Sequence, residues 1–365
     1  MINRQSFSRE WILKQKDRYP KADPLLIERQ IYAFELLGLL AASGKPFVFK
    51  GGTALLLLLP TARRLSIDID IVGDFSLEEL KTFSAGSVFI RVVEDEREPN
   101  DVPKRHFKHY YVSAIDGREN YVLLDVLYTP NGYPALKSVS LMNDLFVVET
   151  KRSVMTPTIN GITGDKLTAF APHTLGVPYG KGKSMEIIKQ LFDLGELFGH
   201  VDDFSELSAS YKSIWHQESR FHAQKFTIAQ TLDDTINTAL ILSQAKLKGA
   251  VHSAELDELL QGISQLKSYF LGLKFNIDEF ACSLPGLEFV SNGPAGVMGG
   301  HAQFFLELQV VHLDHHTINF ISEVIARIFK LVNIVNHSVD AFKGLHFFFR
   351  TTEPELPEHF EHARM

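Results

Sequence analysis

The chain is poor in cysteine and in long hydrophobic runs. One of its 365 residues is a cysteine, Cys282, so no disulfide can form within the chain, and this usage is typical of a reducing compartment. The longest apolar run, residues 54–60, is far shorter than the ~20 residues that a membrane-spanning helix needs. The first residues are polar and mixed in charge, without the apolar segment of a secretory signal. We therefore expect a cytoplasmic protein with no membrane partner.

The chain also lacks an excess of positive charge. Its 37 Lys and Arg residues face 44 Asp and Glu residues, which gives a net charge of −7. Residues 1–200 hold 25 basic and 24 acidic residues, whereas residues 201–365 hold 12 and 20. A nucleic-acid partner is therefore expected to contact basic clusters of the first half. Two such clusters are PKRHFKHYY at 103–111 and KGKSMEIIK at 181–189.

Hydrophobic periodicity divides the chain into a strand-rich part and a helical part. Helical spacing over the first 45 residues precedes a series of strands, and the pattern is helical almost to the end after about residue 185. The strands are expected at 47–50, 65–72, 87–94, 107–115 and 120–128. The fold class is therefore α+β, with a catalytic domain over residues 1–200 and a helical domain over residues 201–365.

Two acidic residues interrupt an apolar strand in FVFKGGTALLLLLPTARRLSIDIDIV, residues 47–72. Residues two apart in a strand point to the same face, so Asp68 and Asp70 share one face and the flanking isoleucines share the other. Burying two unpaired carboxylates is costly, and their like charges repel. A divalent cation between them makes the arrangement favourable, and Mg²⁺ typically uses one or two carboxylates together with substrate phosphates. The alternative is an edge strand whose acids face solvent.

Two further features favour a metal site. Asp125 is the single acid of the apolar strand YVLLDVLY, and we expect it to lie beside the strand of Asp70 and complete a two-metal site. Gly51 and Gly52 let the backbone approach phosphates closely, and their N–H groups open the next helix, which Thr53 can cap. One element is thus expected to hold a triphosphate and the next its metal.

The same residues carry a family resemblance. KGGTALLLLLPTARRLSIDIDIV resembles the first motif of the DNA polymerase β-like nucleotidyltransferases. Its form, GGTAL followed by R-x-S-x-D-x-D, is similar to the AbiEii/AbiGii toxin family, with four positions in register. These positions are Arg64, Ser66, Asp68 and Asp70.

Two later segments extend the resemblance, which covers about residues 47–200. GDKLTAFAPHT resembles the family's K-x-x-A motif and supplies Lys166. IIKQLFDLGELF resembles its R-x-K-D-x-x-D-L motif and supplies Lys189 and Asp193, although Gln190 stands where an acid is common.

The resemblance implies a nucleotidyltransferase fold, a mixed sheet flanked by helices, that transfers NMP from an NTP with Mg²⁺ and releases pyrophosphate. It also implies roles for individual residues. Metal ligation falls to Asp68, Asp70 and Asp125, of which Asp125 is also the base for the attacking hydroxyl. Nucleotide binding falls to Gly51, Gly52, Thr53, Arg64, Ser66 and Lys166. Asp193 is expected to orient Lys166 or to contact the base or ribose.

The implied biology is that of a bacterial toxin in a toxin–antitoxin or abortive-infection system. Its partners are then a cognate antitoxin and an RNA acceptor, the 3′ end of tRNA. One alternative is the same chemistry on a small molecule such as an aminoglycoside, which the acidic second half favours. Another is a non-catalytic binding protein that retains the fold. The three acids count against it, since such a protein has no need to hold repelling carboxylates together.

Overall fold

A seven-stranded sheet organises the residues that the structure, a computed structural model, describes: 1–61, 63–96, 102–243 and 253–271. In chain order the strands are β1 Phe47–Lys50, β2 Ile69–Gly73, β3 Arg91–Glu94, β4 Lys104–Val112, β5 Glu119–Leu127, β6 Leu136–Ser140 and β7 Ser153–Pro157. Their order across the sheet is β3-β4-β5-β2-β1-β7-β6. The β1–β7 and β2–β5 pairs are parallel and the other four are antiparallel, so the sheet is mixed.

Helices flank this sheet and follow it in the chain. Those in the described ranges are α1 Arg9–Arg18, α2 Pro24–Ala42, α3 Gly51–Leu58, α4 Leu77–Ser84, α5 Ile159–Ala169, α6 Ser184–Phe198, α7 Phe204–Ser219, α8 Ile228–Ser243 and α9 Ala254–Leu266. The predicted α+β class, a mixed sheet flanked by helices, is confirmed. No helix among these residues is both long and apolar enough to cross a bilayer.

One face of the sheet packs on α2 and forms the main hydrophobic core. Asp23 caps the first turn of α2, where Pro24 needs no backbone partner, and the helix is then apolar on most sides. Ile69 and Ile71 of β2 are at most 1% exposed and lie in this core with residues of α2. The isoleucines of the DID segment thus anchor β2, and the alternation of the strand turns Asp70 to the opposite face.

The opposite face of the sheet is polar in one row and apolar in the next. The apolar row consists of Val48, Val72 and Leu127. It is covered by Tyr133 and by Ile214, which belongs to α7. A second hydrophobic core lies among α5, α6, α7, α8 and α9. Because α6 belongs to this core, helical packing begins before residue 200, and the division of the chain at that residue stays a prediction.

Strand β2 begins later than the sequence predicted. The predicted strand covered residues 65–72, but residues 63–65 hydrogen-bond elsewhere: Leu65 N–H donates to Tyr269 O, and Leu271 N–H donates to Arg63 O. This bridge to the segment after α9 leaves Asp68 in irregular backbone just before the strand. The strand prediction was therefore wrong at Asp68 and right at Asp70.

Other expectations also need correction. Helix α3 begins at Gly51, with Lys50 in the cap position, so Thr53 lies inside the first turn and is not the cap. Strands β6 and β7 were not predicted, because their short segments lack a clear apolar alternation. Cys282 and the helical pattern predicted after residue 271 lie outside the described residues.

Candidate active site

Four polar residues form one row across the sheet, here called the polar row. Lys50 of β1 lies opposite Asp70 of β2, Asp70 lies opposite Asp125 of β5, and Asp125 lies opposite His106 of β4. Directly opposite residues on neighbouring strands share a face, so all four side chains project away from α2. The structure thus brings Asp70 and Asp125, 55 positions apart in the chain, side by side.

A lysine and a histidine contact the carboxylates of the polar row. Lys104 Nζ lies 2.5 Å from Oδ2 of Asp125 and 3.9 Å from Oδ1 of Asp70. The other oxygen of Asp125, Oδ1, shares a hydrogen bond with Nδ1 of His106 at 2.6 Å. The Asp70 side chain keeps 31% of its surface exposed, against 12% for Asp125. The pair is therefore open to a ligand chiefly through Asp70.

The pKa values of the three acids reflect their burial and their mutual repulsion. Burial, followed by the like charge of Asp70, raises the pKa of Asp68 to about 6. Burial also raises the pKa of Asp70, although the Lys104 ammonium opposes the shift. Burial acts in the same direction on Asp125, but the hydrogen bond with His106 and the charge of Lys104 outweigh it, so its pKa is lowered. Nearby positive charge therefore favours the ionised forms of these three acids.

The Gly51-Gly52 turn lies against these acids. Gly51 has a φ of +78°, and an ideal Cβ there would meet Oδ2 of Asp70 at 2.3 Å. A Cβ on Gly52 would lie 2.8 Å from both Nη2 of Arg64 and Oγ of Ser66. Only glycine allows the start of α3 to approach the acidic pair so closely. The backbone N–H groups at the start of α3 thus lie beside the carboxylates that hold the Lys104 ammonium.

Thr53 and Ser66 hold α3 to the segment before β2. The Thr53 side chain is fully buried, and its hydroxyl donates to Asp68 O at 2.5 Å and lies 3.0 Å from Oγ of Ser66. The expected contact of the Thr53 hydroxyl with a triphosphate stays a prediction, and in the structure that hydroxyl is bonded within the protein. Ser66 is half-buried and lies at the same turn as Gly52.

Arg64, Asp193 and Lys166 form a buried ionic cluster. Arg64 binds Asp193 with two hydrogen bonds, Nε to Oδ1 at 2.7 Å and Nη2 to Oδ2 at 2.6 Å. Lys166 Nζ lies 2.8 Å from Oδ2 of Asp193 and 2.9 Å from Oε1 of Gln190. Burial alone would raise the pKa of Asp193, but the two cations outweigh it and lower it.

The contacts of this cluster bear on the roles expected for its members. Arg64 is 5% exposed and its guanidinium is bonded to Asp193, and the nucleotide contact expected for Arg64 stays a prediction. Lys166 is 7% exposed and is bonded to Asp193, so the expectation that this acid orients Lys166 also stays a prediction. Gln190 is a neutral acceptor, so the cluster of two cations and one acid keeps a net positive charge.

A second ionic cluster, which is half-buried, was missed by the sequence reasoning. Lys50 Nζ lies 3.0 Å from Oδ2 of Asp165, which also accepts a hydrogen bond from the Tyr133 hydroxyl at 2.5 Å. Glu218 of α7 faces the same region: burial raises its pKa, and the positive charges of Lys50 and Lys104 oppose the shift. Sequence signals existed for two of these residues, since Lys50 directly precedes Gly51 and Asp165 directly precedes Lys166.

The carboxylates of the polar row bear on whether Mg²⁺ can be held at this site. Across the described ranges, no group of three or more His, Cys, Asp and Glu side chains is arranged to hold a metal ion. The Asp70–Asp125 pair nevertheless offers adjacent carboxylate oxygens, and it already holds a cation, the Lys104 ammonium. Two carboxylates that leave other positions to phosphates and water fit the preference of Mg²⁺.

Comparisons with known proteins identify the family of the chain. A family model described as "Nucleotidyl transferase AbiEii toxin, Type IV TA system" matches residues 36–265. JHP933 from Helicobacter pylori is 17% identical, over 66% of this chain and 92% of that one, with a TM-score of 0.35. An antigenic nucleotidyltransferase-like protein from Paracoccidioides brasiliensis is 14% identical, over 55% and 95%, with a TM-score of 0.35. No curated protein matches the sequence. The family match spans more than half of the chain, which therefore belongs to the AbiEii nucleotidyltransferases, the toxins of type IV toxin–antitoxin systems.

Proposed function

We propose that this toxin transfers NMP from an NTP to an RNA acceptor, the 3′ end of tRNA, in a Mg²⁺-dependent reaction. The observation that carries the proposal is the pairing of Asp70 with Asp125 directly beside the positive-φ turn at Gly51. Phosphoryl transfer needs carboxylates that hold a metal and a backbone that can approach phosphates, and this arrangement supplies both.

The protein residues have distinct tasks in this proposal. Asp70 and Asp125 would hold Mg²⁺, which neutralises phosphate charge when bound, and Asp68 stays a predicted third ligand. The backbone of Gly51 and Gly52 contacts the triphosphate at the start of α3. Asp125, which shares a hydrogen bond with His106, accepts the proton of the attacking hydroxyl. Lys166 contributes positive charge from a position that Asp193 fixes.

The basic residues of the first half bear on where RNA binds. In the cluster at 103–111, Lys104 pairs with Asp125, Arg105 with Glu94 and Lys108 with Asp95, so acids already neutralise it. The cluster at 181–189 differs, because Lys181 and Lys183 are exposed just before α6. We therefore assign the RNA backbone contact to the start of α6.

The remaining parts of the proposal concern the cellular setting. The toxin acts in the cytoplasm, where its tRNA acceptor and NTP are found, and a cognate antitoxin opposes it. The division of the chain into a catalytic domain and a helical domain at about residue 200 remains part of the proposal. The type IV toxin–antitoxin family description supports the antitoxin.

Labelling of an acceptor tests the reaction. The protein is incubated with Mg²⁺ and each NTP labelled at its α-phosphate, with total tRNA or with aminoglycosides. We expect label in tRNA, lost in Asp70→Asn and retained in Asp74→Asn, an exposed acid just after the same strand. Label found only in the aminoglycoside would mean that a small molecule is the acceptor in place of tRNA. Absence of transfer by a folded protein to either acceptor would overturn the proposal.

A further inference from the structure

Lys104 has a position that the proposed reaction does not explain. It is the first residue of β4 and lies opposite Leu127, in the apolar row next to the polar row. Its side chain reaches across to the carboxylates, so that Nζ lies 2.5 Å from Asp125 and 3.9 Å from Asp70. The ammonium therefore occupies the space between the two acids that were assigned to the metal.

We propose that Lys104 is the resting counter-ion of the Asp70–Asp125 pair, that a divalent cation must displace its ammonium, and that the displaced ammonium then serves as a cationic contact for the polyphosphate of the NTP. This inference rests on the proposed function, because it concerns the same carboxylates. It adds a nucleotide-positioning residue to those that the sequence motifs supply.

Competition follows from charge and distance. Mg²⁺ binds carboxylate oxygens at about 2.0–2.1 Å, so it needs the oxygens that the ammonium now contacts. Two cations on one oxygen pair would repel strongly in a partly buried site. The metal-free protein gains from Lys104, since without it Asp70 and Asp125 would face each other as uncompensated like charges.

The surroundings of Lys104 allow its displacement. Its side chain is 30% exposed, and lysine carries its charge on a flexible stem of four carbons. Glu218 of α7 lies within electrostatic reach of both Lys104 and Lys50, and it is half-buried. An ammonium displaced from Asp70 and Asp125 therefore has a further carboxylate, that of Glu218, toward which it can turn. Lys104 Nζ lies 3.9 Å from Oδ1 of Asp70, and Gly51 packs against the same carboxylate, so the displaced ammonium stays near the turn that is proposed to bind phosphates.

Binding of Mn²⁺ without nucleotide tests the displacement step. Mn²⁺ is the probe because its free and bound forms differ in the electron paramagnetic resonance spectrum. We expect Lys104→Met to bind Mn²⁺ at least about tenfold more tightly than the unchanged protein, because the competing charge is gone. Lys104→Arg should bind no more tightly than the unchanged protein. Lys108→Met, which removes a lysine of the same strand that pairs with Asp95, is the matched control and should leave affinity unchanged.

Thermal unfolding and kinetics complete the test. Without metal, Lys104→Met should melt at a lower temperature than Lys108→Met, and Mn²⁺ should raise its melting temperature more. With NTP and Mg²⁺ the KM for NTP should rise in Lys104→Met, because the polyphosphate loses a contact. Equal Mn²⁺ affinities of Lys104→Met and the unchanged protein would overturn this inference alone. Absence of Mn²⁺ binding in both would overturn the metal site of the proposed function as well.

Discussion

A side chain on Gly51 would collide with the carboxylate of Asp70. The ideal Cβ position lies 2.3 Å from Oδ2 and 2.9 Å from Cγ of that acid, well inside van der Waals contact. The backbone of the turn before α3 thus packs directly against the Asp70 carboxylate of β2. Cβ of Asp70 also lies 3.0 Å from that position, so both the carboxylate and the backbone near Asp70 must shift when the glycine changes.

We therefore expect Gly51→Ala to damage activity more than stability. Gly44→Ala is the matched control, because its φ of +74° resembles the +78° of Gly51 while nothing lies within 4 Å of its Cβ. Both variants should lose about 1–2 kcal/mol of unfolding free energy through the positive φ. Only Gly51→Ala should lose nucleotidyl transfer, by about a hundredfold. Urea unfolding and the labelling assay measure the two effects, and equal activities of the two variants would refute the role of the close approach.

The buried cluster around Asp193 gives a prediction about stability. Asp193→Asn removes the charge that compensates Arg64 and Lys166, both at most 7% exposed, and should cost about 3–5 kcal/mol. Asp144→Asn is the comparison, because the pair of Asp144 with Arg18 is exposed and should contribute at most about 1 kcal/mol. Chemical denaturation gives both values. A loss in Asp193→Asn no larger than in Asp144→Asn would mean that the buried cations find other partners.

The sequence predicted the strands of the site and the identity of its acids because both are local signals. The apolar alternation around Asp70 and Asp125 marks two strands, and the glycine pair marks the turn between β1 and α3. The isoleucines of β2 then determine which face the acid takes. Each of these predictions depends only on residues that are a few positions apart in the sequence.

Long-range pairing accounts for what the sequence did not predict. Asp68 lies outside β2 because the residues before it bond to the segment after α9, about 200 positions away. Lys104 and His106 reach Asp125 through the register of β4 on β5, and that register depends on the fold as a whole. Arg64 meets Asp193 across 129 positions. No local pattern distinguishes such partners from ordinary surface charges.

The Lys50–Asp165 ion pair permits a double-mutant cycle. Lys50→Met leaves the half-buried Asp165 carboxylate with the Tyr133 hydroxyl as its main partner and should cost about 1–3 kcal/mol. Adding Asp165→Leu should cost less than the sum of the two single changes, with a coupling of about 1–3 kcal/mol. The exposed pair Lys81–Glu78 provides a control cycle with a coupling below about 1 kcal/mol. Equal couplings in the two cycles would show that burial does not strengthen the inner pair.

His109 gives a prediction about pH. Burial lowers the pKa of this histidine from 6.5 to about 3, and its side chain is fully buried. The unfolded chain therefore takes up the proton first, so the stability that the neutral ring provides is present above about pH 6.5 and is lost as the pH falls toward 3. Between pH 7 and pH 5 this loss amounts to about 2 kcal/mol, at 1.36 kcal/mol for each unit of pKa.

His109→Phe should remove that part of the acid sensitivity. The phenyl ring keeps the edge-to-face contact that His109 makes with Phe89 and has no proton to take up. We expect the difference in unfolding free energy between pH 7 and pH 5 to shrink by about 2 kcal/mol in this variant. His216→Gln, at an exposed position of α7, should leave the difference unchanged. Denaturant titrations at the two pH values measure it. A difference in His109→Phe equal to that of the unchanged protein would mean that acid weakens the fold through other groups, the buried carboxylates first among them.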